Sequence, residues 1–263
     1  VFTFKGEKIG VGLSDPQSNL HVSGNTGVVI QGSLNSEISL PASGKGTRMM
    51  FFPAKAAFRA GTVEGTEWDS INIGTYSIAM GYGGTASGEG SAILGGYKHI
   101  VEGDYAVVPG GRENQALGDY SFAAGYRAVA AHKGSFVWAD YDPTSNANFT
   151  SGSSNQFIIK ASNGVGIGTS DTNDAVLTIK KDENDEYLFK AIGNSDAENA
   201  LVINTSGNVG IGTSDPGSAR LAIMNGNFGI GTVTPNAPLT IKNTSPNEYL
   251  LYTEGYSVSN TSS

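Results

Sequence analysis

Gly74-Thr75-Tyr76-Ser77-Ile78-Ala79-Met80-Gly81 is followed by Gly88-Glu89-Gly90-Ser91-Ala92-Ile93-Leu94-Gly95. Gly103-Asp104-Tyr105-Ala106-Val107-Val108-Pro109-Gly110 and Gly118-Asp119-Tyr120-Ser121-Phe122-Ala123-Ala124-Gly125 come next, and His132-Lys133-Gly134-Ser135-Phe136-Val137-Trp138-Ala139 is a degenerate fifth copy. The copies begin at Gly74, Gly88, Gly103, Gly118 and His132, so the second and third intervals are each one longer than the first and last. A nearly fixed short period means a solenoid, in which each turn buries against its neighbour what it could not bury alone. The glycine density excludes helix, since each glycine in a helix interior costs about 1 kcal/mol. At ~3.3 Å per residue, one turn has a perimeter of roughly 46 Å, enough for two short strands and two corners.

Both longer turns carry a doubled glycine, Gly95-Gly96 and Gly110-Gly111. The extra residue is expected there as a bulge, because glycine tolerates the required backbone angles. Ser77, Ser91, Ala106, Ser121 and Ser135 recur at one position, and their small size assigns them to a narrow interior. Five rungs at ~4.8 Å make a roll only about 24 Å long. So short a roll has little core of its own, which predicts obligate self-association.

The pattern G-x-Y-S-x-A-x-G, with Ala86 and Ala130 on the return strand, resembles the left-handed parallel β-roll heads of trimeric autotransporter adhesins, the YadA-like heads. The resemblance covers about a quarter of the chain. It implies a homotrimer with its rolls side by side and an extracellular binding or shaft role. Pro109 inside a turn and Ala139 in place of a glycine depart from the pattern, and the fifth turn is expected to close the roll.

A second repeat flanks the first. Ile9-Gly10-Val11-Gly12 with Leu20-His21-Val22 returns as Val165-Gly166-Ile167-Gly168 with Leu177-Thr178-Ile179. It returns again as Val209-Gly210-Ile211-Gly212 with Leu221-Ala222-Ile223, and as Phe228-Gly229-Ile230-Gly231 with Leu239-Thr240-Ile241. Each copy reads as strand, turn and second strand, and Ser14-Asp15-Pro16 and Ser214-Asp215-Pro216 are turn chemistry. Alternate glycines bare one strand face, so another backbone can approach closely. The motif resembles the GIGT-type repeats of phage tail fibres and bacterial surface fibres, which implies a shaft on both sides of the head.

The expected organisation is a shaft repeat at 1–24, a connector and cap at 25–72, the roll at 73–140, a neck at 141–163 and incomplete shaft repeats at 164–263. Within the connector, Val28-Val29-Ile30 and Ile38-Ser39-Leu40 read as strands, and the apolar run at 48–59 as the cap over the first rung. Gln156-Phe157-Ile158-Ile159-Lys160 reads as a strand re-entering the shaft. The fold class is therefore all-β: a homotrimeric fibre with a short left-handed parallel β-roll between shaft-like repeats.

The 263 residues include 37 glycines, only 15% charged and 38% hydrophobic residues, a net charge of −8 and no cysteine. Disulfides and thiolate metal sites are excluded. The negative charge disfavours binding to nucleic acid phosphates. No apolar run approaches the ~18 residues of a membrane span, so no membrane insertion is expected in this segment. The first residue, Val1, suggests a processed chain or an excerpt.

No catalytic group, cofactor site or metal site stands out, and the chain is not expected to be an enzyme. His21, His99 and His132 lack metal-ligand spacing and read as solvated or interfacial. The glycine motif at 164–168 superficially matches a dinucleotide loop, but its recurrence makes it structural. The acidic run Asp182-Glu183-Asn184-Asp185-Glu186 lacks the spacing of a calcium loop and reads as a solvated turn. Tyr82, Tyr97 and Tyr126, just after the turn glycines, form either an exposed ladder for sugar stacking or a packing ladder within the trimer.

Finally, Leu177-Thr178-Ile179-Lys180 and Glu186-Tyr187-Leu188 recur at a common offset, as Leu239-Thr240-Ile241-Lys242 and Glu248-Tyr249-Leu250. The second copy lacks the strand Ala200-Leu201-Val202-Ile203, and Val1-Phe2-Thr3-Phe4 at the other terminus supplies one. The chain thus reads as one period of a head-to-tail array: either it is one repeat of a longer polypeptide, or separate subunits join by strand addition, with Val1, Phe2, Thr3 and Phe4 as the inter-subunit strand. The expected partner is the chain itself, as homotrimer and polymer, with a cell-surface glycan or receptor as a further candidate. The expected setting is extracellular, on a cell surface or virion, in a structural fibre or in an adhesin or tail-fibre segment.

Overall fold

The computed structural model describes residues 1–25, 27–35, 39–172, 175–180, 187–192, 199–213, 215–224, 226–230 and 232–241. Among these there is no α-helix, only strands and the 3₁₀ turns Pro53–Lys55 and Ser70–Asn72, so no helix is long and apolar enough to cross a membrane. The chain divides into two compact units, Val1–Ser162 and Asn163–Ser263.

The first unit contains a β-solenoid of stacked parallel coils. Its broad sheet runs through Ala57–Val63, Ile78–Tyr82, Ala92–Ile93, Val107–Val108, Phe122–Tyr126, Phe136–Ala139 and Phe157–Lys160, all parallel. The narrow sheet stacks Thr85–Ala86, Ile100–Val101, Gln115–Ala116, Ala128–Ala130 and Phe149–Thr150. Between the sheets, Ala79, Ile93, Val108, Ala123 and Val137 pack with Ala86, Val101, Ala116 and Ala130 in one cluster with no exposed surface. The serine position is interior, as its size predicts: Ser77, Ser91, Ala106, Ser121 and Ser135 are all buried. Ser77 Oγ and Ser91 Oγ donate to the carbonyls of Gly74 and Gly88 at 2.6 and 2.7 Å. Ser121 Oγ has no partner.

Register locates the extra residue of the long turns. Ile78 pairs with Ala92, whereas Tyr82 pairs with Tyr97, one position further along the chain than the Ile78 register would give. The additional residue therefore lies just before Gly96, where a side chain at Gly95 would meet nothing within 4 Å. Gly96 itself has φ +96° and its hydrogen faces the Gly111 carbonyl. Gly81, Gly96, Gly111 and Gly125 form a ladder in which an added Cβ would lie 2.0–2.6 Å from the next rung's carbonyl oxygen. Rung spacing, not turn propensity alone, demands these glycines.

The two ends of the roll compare differently with expectation. At the start, Gly46–Phe52 and Ala57–Val63 form an antiparallel hairpin that continues the broad sheet, so the apolar run at 48–59 covers the first rung. Arg59 reaches inward and is fully buried. Its Nη1 donates to the carbonyls of Phe58 and Ser77, and its Nη2 to Ser77 Oγ and the Ala86 carbonyl, at 2.8–3.0 Å. Burial lowers its pKa to about 10. Val28, Val29 and Ile30 form no strand and are exposed, because no sheet edge meets them. Of the second connector strand, Ser39 and Leu40 are not in a strand, and Ile38 lies outside the described residues.

The coil does not end at Asp140. Phe157–Lys160 pairs with Phe136–Ala139, adding a rung to the roll instead of re-entering a shaft. The corner residues show the same continuity. Tyr76, Gly90, Tyr105, Tyr120, Gly134 and Asn155 all adopt left-handed φ between +56° and +67°. Each donates its backbone N–H to the preceding turn, at 2.6–2.9 Å. A surface excursion lengthens this turn, so its period breaks while its geometry persists.

The four glycine-alternating motifs share one fold, a strand, a loop and a parallel second strand. Ile9, Gly10 and Val11 face Leu20, His21 and Val22, and the copies at 165–179, 209–223 and 228–241 repeat that register. The backbone that approaches the first glycine is its own loop: a Cβ on Gly10, Gly166, Gly210 or Gly229 would lie 2.4–3.0 Å from a loop carbonyl oxygen. The second glycine has positive φ and abuts the carbonyl just beyond the second strand, in Gly12, Gly168 and Gly212 alike.

Candidate functional site

The tyrosines predicted to stack do so only in part. Tyr82 and Tyr97 lie parallel, 5.0 Å between centroids with 3° between planes. The next rung places Arg112 in that column, its guanidinium carbon 4.9 Å from the Tyr97 centroid, and Tyr126 follows on the rung after. Tyr126 meets Tyr141 edge-on at 5.1 Å. Lys98 and Arg127 lie over the Tyr97 and Tyr126 rings at 5.4 and 5.5 Å. The column is thus tyrosine, tyrosine, arginine, tyrosine, with ring faces engaged by cations or by one another. Glu113 joins Arg112 and Arg127 beside it, and these cations hold its carboxyl below the usual range.

A second aromatic column stands at the left-handed corners. Tyr105 and Tyr120 stack at 5.7 Å and are 50% and 59% exposed. Tyr105 Oη donates to Glu89, which raises the phenol to about 12. Gly90 and Gly134 occupy the same corner in other turns, so the fold does not require tyrosine there. A non-glycine residue in this region costs about 1–2 kcal/mol.

A further surface feature, an uncharged outer face of the broad sheet, was not singled out from the sequence. Strand alternation turns Ile78, Met80, Ala92, Val107, Phe122, Phe136, Trp138, Phe157 and Ile159 outward on the broad sheet, opposite the buried Ala79, Ile93, Val108 and Val137. Phe122, Phe136 and Phe157 stack at 4.6 and 4.5 Å. None of these outward positions is charged, and Ile78, Trp138, Phe157 and Ile159 retain 37–69% of their surface. The signal was present as the column Phe122, Phe136, Phe157, which sits next to each interior serine or its equivalent.

Val1, Phe2, Thr3 and Phe4 lie in or beside the strand Phe2–Lys5, which pairs antiparallel with Lys8–Val11 of the same chain. Its other edge pairs with no strand among the described residues. Val1, Phe2 and Phe4 are 86%, 64% and 70% exposed, and the two phenylalanine rings meet edge-on at 4.9 Å.

The histidine at 99 is neither solvated nor interfacial. It fills the interior at a corner, accepting the Asn114 N–H on Nδ1 at 3.1 Å, and burial lowers its pKa. On the next rung Asn114 occupies the same place, donating to the Gly110 and Gly125 carbonyls and accepting the Ala128 N–H. Both residues satisfy corner backbone groups. Among the described residues no three His, Asp or Glu side chains group closely enough to hold a metal ion. The acidic run at 182–186 lies outside the described residues. Comparison with protein-family models, with curated proteins and with solved structures gives no match for this chain.

Proposed function

We propose that this chain is a structural segment of an extracellular homotrimeric β fibre, in which a YadA-like roll is flanked by GIGT-type shaft repeats. The observation that carries the reading is the uncharged, aromatic-rich outer face of the broad sheet. Apolar surface of this kind marks an interaction surface, and three copies burying it against one another would add a second apolar layer outside the small-residue core of the roll. The ring columns support the same reading, since Tyr97 stacks on Tyr82 and carries Lys98 and Arg112 over its ring, which leaves it little to offer a sugar. Sedimentation equilibrium tests it: the chain should have three times its monomer mass, and Phe136→Asp should lower that mass by placing a charge in the interface. A native chain that is monomeric and folded would refute the reading.

Adhesion is the second reading, and the corner tyrosines favour it. Tyr76, Tyr105 and Tyr120 accept a strained backbone where glycine serves elsewhere, and they project into solvent. Binding on a glycan array that is lost in Tyr105→Gly and Tyr120→Gly would make the segment an adhesin; an array without signal leaves the structural role alone.

A further inference from the structure

Each glycine-alternating motif has two unlike faces. Register sets Ile9 beside Leu20 and Val11 beside Val22, and strand alternation puts these four on one face of the pair, with Gly10 and His21 on the other. The motif's own loop closes the glycine face: Pro16 is fully buried there, and a Cβ on Gly10 would lie 3.5 Å from its ring. The other face is apolar in every copy. Its four positions in the copies at 165–179, 209–223 and 228–241 are all valine, isoleucine, leucine or phenylalanine. The second-strand leucine and the residue before the second glycine stay 37–62% exposed throughout.

A two-stranded sheet with one apolar face is marginal by itself in water. Added strands do not remedy this. Phe2–Lys5 in the first motif places Phe4 opposite Ile9, and Asn199–Asn204 in the third places Ile203 opposite Val209, which widens the apolar face without covering it. Among the described residues the second and fourth motifs gain no third strand. The surroundings of the four motifs therefore differ while the face stays the same, so no local segment is common to all of them. What recurs four times with that face is the motif itself. In a cyclic assembly each motif meets its own equivalents in the other copies, and identical apolar faces then cover one another.

We propose that the apolar face of each glycine-alternating motif packs against the same motif of the other copies, so that the copies associate in parallel and in register. This rests on the fibre reading and deepens it. The broad sheet of the roll is then one of two kinds of contact between copies, and the motifs that flank the roll in sequence supply the other. Four faces on one chain act together, since each contact made raises the effective concentration at the rest. The first glycine of the motif serves this contact indirectly: by admitting the loop to one face, it keeps the loop off the other.

The chain has no cysteine, so a nitroxide on one introduced thiol reports only on contact between copies. Labels at Leu177→Cys and Leu221→Cys should show dipolar broadening that disappears on refolding with an excess of unlabelled chain. A label at Ser218→Cys, on the exposed loop of the third motif, should stay narrow. A charge provides a second measurement that does not depend on the label. Leu221→Asp should raise the concentration at which the copies dissociate by roughly tenfold or more, and Ser218→Asp should not. Narrow spectra at both leucines, or equal dissociation of the two aspartate variants, in chains that sediment as trimers would overturn the proposal and leave the fibre reading standing. A native chain that sediments as a folded monomer would refute the fibre reading itself, and this contact with it.

Discussion

Gly95 and Gly96 are adjacent, chemically identical and predicted to respond to alanine with opposite sign. Gly96→Ala places a Cβ 2.5 Å from the Gly111 carbonyl oxygen and 2.4 Å from His99 Nε2, on a backbone with φ +96°. The backbone strain costs about 1–2 kcal/mol. Overpacking adds about 1–3 kcal/mol, because the obstructing atom is the backbone of the next rung and the rungs are tied by hydrogen bonds on both sides. The sum, roughly 2–5 kcal/mol, is a drop in Tm of roughly 4–20 °C for a unit of this size. Gly95→Ala meets nothing and restricts only the unfolded chain, so it should be neutral or stabilise by about 0.4–1 kcal/mol. Thermal unfolding followed by circular dichroism, with both variants at equal concentration, measures the difference. Equal melting temperatures would refute the account of rung spacing, and loss of stability in Gly95→Ala would refute the placement of the bulge.

Ser121→Ala should be neutral or stabilising, because it removes a buried hydroxyl without a partner and Ala106 already occupies the equivalent place, while Ser121→Leu should cost ~1–3 kcal/mol or more; chemical denaturation distinguishes them. His99 is held neutral by burial, so the unfolded chain takes up its proton first, and stability should decline as pH falls below about 6.5. His99→Asn, which copies Asn114, should flatten that decline between about pH 6.5 and 5, before the carboxylates titrate; melting curves at several pH values check it. Arg59→Met keeps the bulk but removes the guanidinium hydrogen bonds to the Ser77 and Ala86 carbonyls, which retain the backbone N–H groups of Phe58 and Gly74 as donors, at about 1.5–3 kcal/mol in all; faster amide exchange in the first rung is the expected readout.

The coil is legible in the sequence because its period is set by physics that acts on composition: a glycine wherever a rung's carbonyl crowds the next, a small residue wherever the interior narrows. Spacing alone places Ser121 and the Gly95 bulge. The final rung is not legible, because the excursion before Asn155 separates Phe136 from Phe157 by more than one period, and only the dipeptide before Phe157 preserves the corner. The sequence reading misplaces His99 by treating histidine as polar surface, when a neutral imidazole can serve a buried backbone N–H as Asn114 does. Spacing makes Tyr82, Tyr97 and Tyr126 one ladder, yet Arg112 on the intervening rung is visible only through register. The segment at 28–30 has strand-forming residues and no sheet to join, and composition does not reveal that.

The concentration dependence of unfolding tests the trimeric fibre most directly. If three copies bury the outer face of the broad sheet, dissociation and unfolding are one event, and Tm rises steadily over about a hundredfold increase in protein concentration. A Tm independent of concentration, with a folded monomer in sedimentation, would contradict it.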